Sequence, residues 1–91
     1  MDDVLKVQDR VREFVQKQKA AFKEKIERNK IDNIGVSSLE QIAGSENAYE
    51  AIGSVATVSP TGKLKTFKYI AKVTVDGKSC TLDELKVIPL D

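Results

Sequence analysis

The sequence predicts an α+β fold: one long N-terminal helix packed on one face of a three- to four-stranded antiparallel meander. Three observations predict it. Apolar residues recur at three- and four-residue steps from residue 3 to about residue 30. From residue 48 the period changes to two. Pro60-Thr61-Gly62 and Asp76-Gly77 then divide the alternating half as hairpin turns. The 91 residues read as a single small domain, with 1–30 as helix, 31–47 as an irregular connection and 48–91 as sheet.

In the helix, Val4, Val7, Val11, Phe14, Val15, Phe22 and Ile26 fall on one stripe, interrupted by Gln18 and Asn29. No Pro or Gly occurs before Gly35. Asp2 or Asp3 suits the N-terminal cap, and Lys23, Lys25, Arg28 and Lys30 crowd the end where the helix dipole favours cations. A coiled coil competes, but Gln18 and Lys25 interrupt the seam and too few clean heptads remain.

In the connection, Asn33, Gly35, Gly44, Ser45 and Asn47 are breakers. Ser37 followed by Glu40 fits a capping box for a short helix with Leu39 and Ile42 on one side. An edge strand at Ile34–Val36 is the competing expectation.

The turns set the register. A three-residue loop at 60–62 places Val55 opposite Phe67, Gly53 opposite Tyr69, Ala51 opposite Ala71 and Tyr49 opposite Val73. A two-residue turn at 76–77 places Val75 opposite Lys78, Val73 opposite Cys80 and Ala71 opposite Leu82. The last strand covers about 78–82, with Leu85–Ile88 extending it after a break at Asp83-Glu84 and Pro89 stopping it. Both registers gather apolar residues on one face, as a correct register must. That face is expected to receive the helix stripe. Gly53 opposite Tyr69 leaves room for the ring or for a bend.

The other face carries Ile52, Ser54, Ala56, Val58, Leu64, Thr66, Lys68, Ile70, Lys72, Thr74 and Thr81. It is too apolar for a fully solvated face, and one helix cannot cover both sides of a sheet. The 38–43 segment, a second copy of the chain or another partner is expected to cover it.

The resulting layout, over roughly residues 3–88, resembles the cystatin-like and NTF2-like folds. Those folds host binding modules, inhibitors, dimerisation domains and some enzymes, so the resemblance implies architecture and no activity. The Gln-Val-Val-Ala-Gly inhibitor loop does not occur in this sequence.

Net charge is +1, from 15 basic and 14 acidic residues, which gives no overall drive toward nucleic acid or anionic membranes. The distribution is uneven. Residues 1–30 carry nine bases and six acids, 31–62 no base and four acids, and 63–91 six bases and four acids. The single cysteine, Cys80, cannot form an internal disulfide. Met1-Asp2-Asp3 does not open a signal peptide, and no apolar run is long enough to span a membrane. The chain is therefore expected to be intracellular and cytoplasmic.

An enzyme is not expected. The chain has no His, the commonest general base and metal ligand. Cys80 sits in a strand facing inward, where a thiol is structural. Glu46 with Glu50, and Asp83 with Glu84, read as solvated pairs; only a pocket joining Glu46, Glu50 and Tyr49 would support acid–base chemistry. "SPTGK" lacks the first Gly of a phosphate loop and has Leu where Ser or Thr is needed. No cofactor or metal is expected, and about 90 residues around one helix leave little room for a ligand cavity.

Nucleic-acid binding rests on Lys63, Lys65, Lys68 and Lys72 interleaved with Phe67 and Tyr69, the residue mix of a stacking platform. The register splits that mix: the rings face the helix, whereas Lys68 and Lys72 face away. What survives is sequence-independent phosphate contact by Lys17, Lys19, Lys23, Lys25 and Lys30, with Glu24 and Glu27 in partial compensation. The leading expectation is a non-enzymatic interaction domain that homodimerises through the outer sheet face. Ile52, Val58, Leu64 and Ile70 would supply contact, and Lys68 and Lys72 register.

Overall fold

The computed structural model describes residues 2–26 and 28–90, with residues 2–5 as backbone only. Two helices, α1 (Asp2–Gln16) and α2 (Lys19–Lys25), precede four strands: β1 (Lys30–Gln41), β2 (Ala48–Val58), β3 (Leu64–Asp76) and β4 (Ser79–Pro89). The strands form one antiparallel sheet in the order β1-β2-β3-β4. The class is α+β, with both helices on the sheet's inner face.

The single long helix predicted from the apolar stripe is two helices. The chain leaves helical geometry at Gln18, whose ψ is 45°. The Lys17 N–H is shared between the Glu13 and Phe14 carbonyls, at 3.1 and 3.2 Å, and Gln18 N–H turns back to Val15 O at 3.1 Å. Gln18 lies on the stripe, so a straight helix would carry its amide into the core between Val15 and Phe22. Breaking there leaves Gln18 half-buried while Val11, Val15, Phe22 and Ile26 all reach the core. The capping role of Asp2 or Asp3, Val4's place on the stripe and Glu27's charge compensation lie outside the described side chains.

Of residues 31–47 only 42–47 are an irregular connection, and the edge strand expected at Ile34–Val36 forms and is longer than expected. Lys30–Gln41 is an edge strand of 12 residues, and the capping-box helix from Ser37 does not form. Ile31, Ile34, Val36 and Leu39 all pair with inner-face residues of β2, yet their spacing is three, two and three. Register shifts at Asp32 and Ser37 each insert one residue and turn an alternation of two into steps of three. Those steps imitate a helix in the sequence.

The β2–β3 register is the predicted one, from Tyr49 opposite Val73 to Val55 opposite Phe67 and on to Val58 opposite Leu64. Ser59 N–H bonds Lys63 O at 2.8 Å and closes the 60–62 loop, with Gly62 at φ 85°. The β3–β4 hairpin differs from expectation. Its loop is Gly77-Lys78, because Gly77 (φ 61°) takes the first loop position while Asp76 stays in the strand opposite Ser79. Pairs therefore slide by two: Val75 opposite Cys80 and Val73 opposite Leu82. An even slide keeps every side chain on its face. The break expected at Asp83-Glu84 is a bulge instead, after which Leu85 pairs with Ala71 and Val87 with Tyr69.

The inner face forms the core: Tyr49, Ala51, Val55, Phe67, Tyr69, Ala71, Val73 and Val75 are all buried. Phe22 meets Tyr69 edge-on, with centroids 4.8 Å apart and planes at 84°. Asn29, the second interruption of the stripe, donates to Thr57 Oγ1 at 3.0 Å. Buried Thr57 in turn donates to Lys65 O at 2.8 Å, so its hydroxyl is satisfied.

The Tyr69 hydroxyl donates to Gly35 O at 2.8 Å and ties the third strand across β2 to the edge strand. Burial pushes this phenol from 10.0 up to about 12, against a smaller opposing pull from Arg12. The folded state thus holds the proton more tightly than the unfolded chain. That stabilisation is complete below pH 10 and is lost as pH rises toward 12. Tyr69→Phe is expected to cost about 1–2 kcal/mol at about pH 7 through the lost hydrogen bond. The deficit should shrink near about pH 11, because phenylalanine does not ionise. Denaturant midpoints at the two pH values check this, and an unchanged deficit would show that Tyr69 is not held as a neutral donor.

Candidate interaction face

The register lays out the outer face row by row. Ile52 and Ile70 are direct neighbours at the centre, flanked by Ser38 on β1 and Lys86 on β4. Toward the 60–62 loop, the next row is Gly35, Ser54, Lys68 and Ile88. Toward the other end it is Glu40, Glu50, Lys72 and Glu84. Val58 and Leu64 pair beside the loop. The face thus brings together all six residues expected there: Ile52, Val58, Leu64, Lys68, Ile70 and Lys72.

No segment of the described chain folds over this face. The 38–43 segment, one of three expected covers, is the end of the paired edge strand and the residues after it, and the strand extends the sheet sideways. The three exposed large hydrophobic residues among those described are Leu64 (80% exposed), Ile88 (47%) and Leu90 (51%). All three take outer-face positions: Leu64 opposite Val58, Ile88 opposite Lys68, and Leu90 with its N–H on Thr66 O at 3.1 Å. Ile88 and Leu90 were not legible as part of the site, because β4 was expected to falter at Asp83-Glu84. Glu40 and Ser38 were missed because β1 does not alternate.

Charge on the face is only partly compensated. Lys72 Nζ lies 3.3 Å from Glu84 Oε2, and Lys86 Nζ 3.8 Å from Glu84 Oε1. Thr74 Oγ1 donates to Asp83 Oδ2 beside them. Glu50 is half-buried, stands between Glu40 on β1 and Lys72 on β3, and has no cation within 4.0 Å among the described residues, Lys72 being turned to Glu84. Like charges directly opposed across strands are destabilising.

The sheet edges are less available than the face. On β1, Gln16 Nε2 donates to Ile34 O at 3.3 Å and Arg12 Nη1 to Val36 O at 3.4 Å, between the two bulges. On β4, the bulge at Asp83 and the terminal Pro89 interrupt the ladder. Bulges, proline and side chains on free carbonyls are how edges are kept from pairing.

Phe67 and Tyr69 are buried on the inner face while Lys68 and Lys72 are exposed on the outer, as the register required. Tyr49 and Glu50 point to opposite faces, and Glu46 is exposed in the β1–β2 loop, where its carbonyl accepts from Gln41 Nε2 at 2.9 Å. These three side chains do not share a pocket. Cys80 is half-buried against the core. No helix among the described residues is long and apolar enough to cross a membrane. No protein-family model, curated protein or solved structure matches this chain.

Proposed function

We propose that this chain is a non-enzymatic assembly domain whose outer sheet face pairs with a second copy of itself. The observation that carries the reading is the gathering of Leu64, Ile88 and Leu90 on one uncovered face. Clustered exposed apolar residues mark interaction sites, whereas scattered ones do not. Four strands about 4.8 Å apart and about 36 Å long give a face of about 700 Å². That approaches the ~800 Å² each partner contributes to a stable complex. The helix-then-meander order keeps the cystatin-like and NTF2-like layout as the architectural reading.

The second copy is favoured over an unrelated partner because the two central strands of the face are self-complementary, although the same symmetry opposes Glu40 to Glu84 of the second copy at the margins. A two-fold axis parallel to the strands, between β2 and β3, exchanges the two central strands. It sets Ile52 against Ile70 of the second copy and the unpaired Glu50 against its Lys72. It also lays Ile88 over Gly35, where an added Cβ would meet nothing nearer than Ser54 O at 3.9 Å. An isologous contact of this kind closes on itself.

Mixing charge-reversed variants tests it. Glu50→Lys alone and Lys72→Glu alone each place like charges across both copies of the contact, and each dimer is expected to weaken about tenfold or more. Mixed one to one, the two variants oppose opposite charges at both sites, and the mass by light scattering should return to twice 10.1 kDa. A mixture no heavier than its components would rule out this pairing.

A further inference from the structure

A second surface shares only Leu64 with the outer-face residues named above. Where α2 ends, a cleft of about 480 Å³ opens between the residues after the helix, the β2–β3 loop and the far end of β4. Its volume falls in the range of about 300–1,000 Å³ that small-molecule sites span. Its lining includes three lysines from two places in the chain: Lys25 at the end of α2, and Lys63 and Lys65 where the β2–β3 loop enters β3. No acidic residue lines it, and none of the three lysines has a carboxylate within 4.0 Å among the described residues. Lys65 Nζ instead lies over the Phe67 ring, 5.2 Å from its centroid.

The lining also offers neutral hydrogen-bonding groups. Ser59 and Thr61 hydroxyls bond each other at 3.0 Å, and Ser59 Oγ accepts from Lys63 N–H at 3.0 Å, so the loop is held in shape. The rest of the lining is apolar apart from Asn29: Ile26, Leu64, Phe67, Val87 and Pro89. Three lysines without a carboxylate partner beside apolar side chains suit a ligand with a compact anionic head and a flat apolar body. Lysine serves phosphate as a point charge, and three of them suit a dianion better than a single carboxylate.

We infer that this cleft is a binding site for a small organic phosphate, with Lys25, Lys63 and Lys65 on the phosphate and Ile26 and Phe67 against the body. A nucleic-acid strand is the less favoured occupant. The cleft is bounded by loop, helix end and strand end, and the lysines on the other flank of α2 (Lys19, Lys23 and Lys30) line a separate depression.

Titration with 1-naphthyl phosphate at low salt, followed by calorimetry, tests this against inorganic phosphate, 1-naphthol and a single-stranded oligothymidylate. Saturable binding of the ester is expected, about tenfold tighter than either fragment. The double variant Lys63→Ala/Lys65→Ala should weaken it about tenfold, and Lys78→Ala, in the opposite hairpin, by less than about twofold. The Ile70→Glu protein should bind the ester as the wild type does, which separates this site from the outer-face contact. Equal affinity for ester and inorganic phosphate, or insensitivity to the double variant, would overturn the inference. So would binding of the oligonucleotide without the ester.

Discussion

Gly53→Ala is expected to destabilise the domain by about 4 kcal/mol, a large share of the roughly 5–13 kcal/mol available to a chain of this size. A Cβ built on Gly53 would lie 2.0 Å from Gly35 O, 3.0 Å from Gly35 C and 2.9 Å from the Tyr69 hydroxyl. Two of these atoms are backbone, so no rotamer change relieves the clash, and β1 must move away from β2. Overpacking alone costs about 1–3 kcal/mol and occasionally more. The displacement also breaks the Tyr69–Gly35 hydrogen bond, which adds about 1–2 kcal/mol. Gly35→Ala is the paired control. Its Cβ would meet only Ser54 O at 3.9 Å, and the change should cost less than about 1 kcal/mol. Urea midpoints on both variants decide the matter. Similar midpoints for the two would show that β1 and β2 are not pinched at Gly53.

The same glycine shows how far the sequence could be read. Its pairing with Tyr69 followed from a loop of three residues and an alternation of two, both local signals. Which of the two outcomes that pairing allowed, room for a ring or a bend, depended on Gly35. That residue sits in a strand whose apolar spacing runs three, two, three. Bulges hide strands from periodicity because each one shifts the phase by a residue. The bulge at Asp83 likewise hid the pairing and faces of the Leu85–Ile88 extension, and with them the outer-face place of Ile88 and the Glu84 carboxylate that holds Lys72. The β2–β3 ladder, free of bulges, was legible throughout. The break at Gln18 belongs to a different class. Helix propensity is satisfied there, and the cost of burying an amide among Val15 and Phe22 decides the outcome. The cleft at the end of α2 was not legible at all, because Lys25 and Lys63 are brought together only by the packing of the helix on the sheet.

Ile70→Glu is expected to weaken self-association at least about a hundredfold while leaving the protomer folded. Within one copy, Ile70 is half-buried beside Ile52 and opposite Lys86. A glutamate there stays in contact with water and gains a cation across the strand, so the protomer loses little. Across the proposed two-fold contact the same carboxylate is pressed against Ile52 of the second copy, at the centre of the face where water is excluded. Burying a charge without a partner costs several kcal/mol, and the symmetry imposes that cost twice per dimer. Ile70→Thr removes apolar contact without adding charge and keeps the β-branched shape, so it should fall between wild type and Ile70→Glu. Light scattering across a concentration series reads the mass, and urea denaturation of dilute samples reads protomer stability. Wild-type mass near twice 10.1 kDa with Ile70→Glu near 10.1 kDa is the expected result. An unchanged mass and midpoint in Ile70→Glu would remove the outer face as the contact, because no arrangement that buries Ile70 against Ile52 of a second copy can absorb two carboxylates without loss.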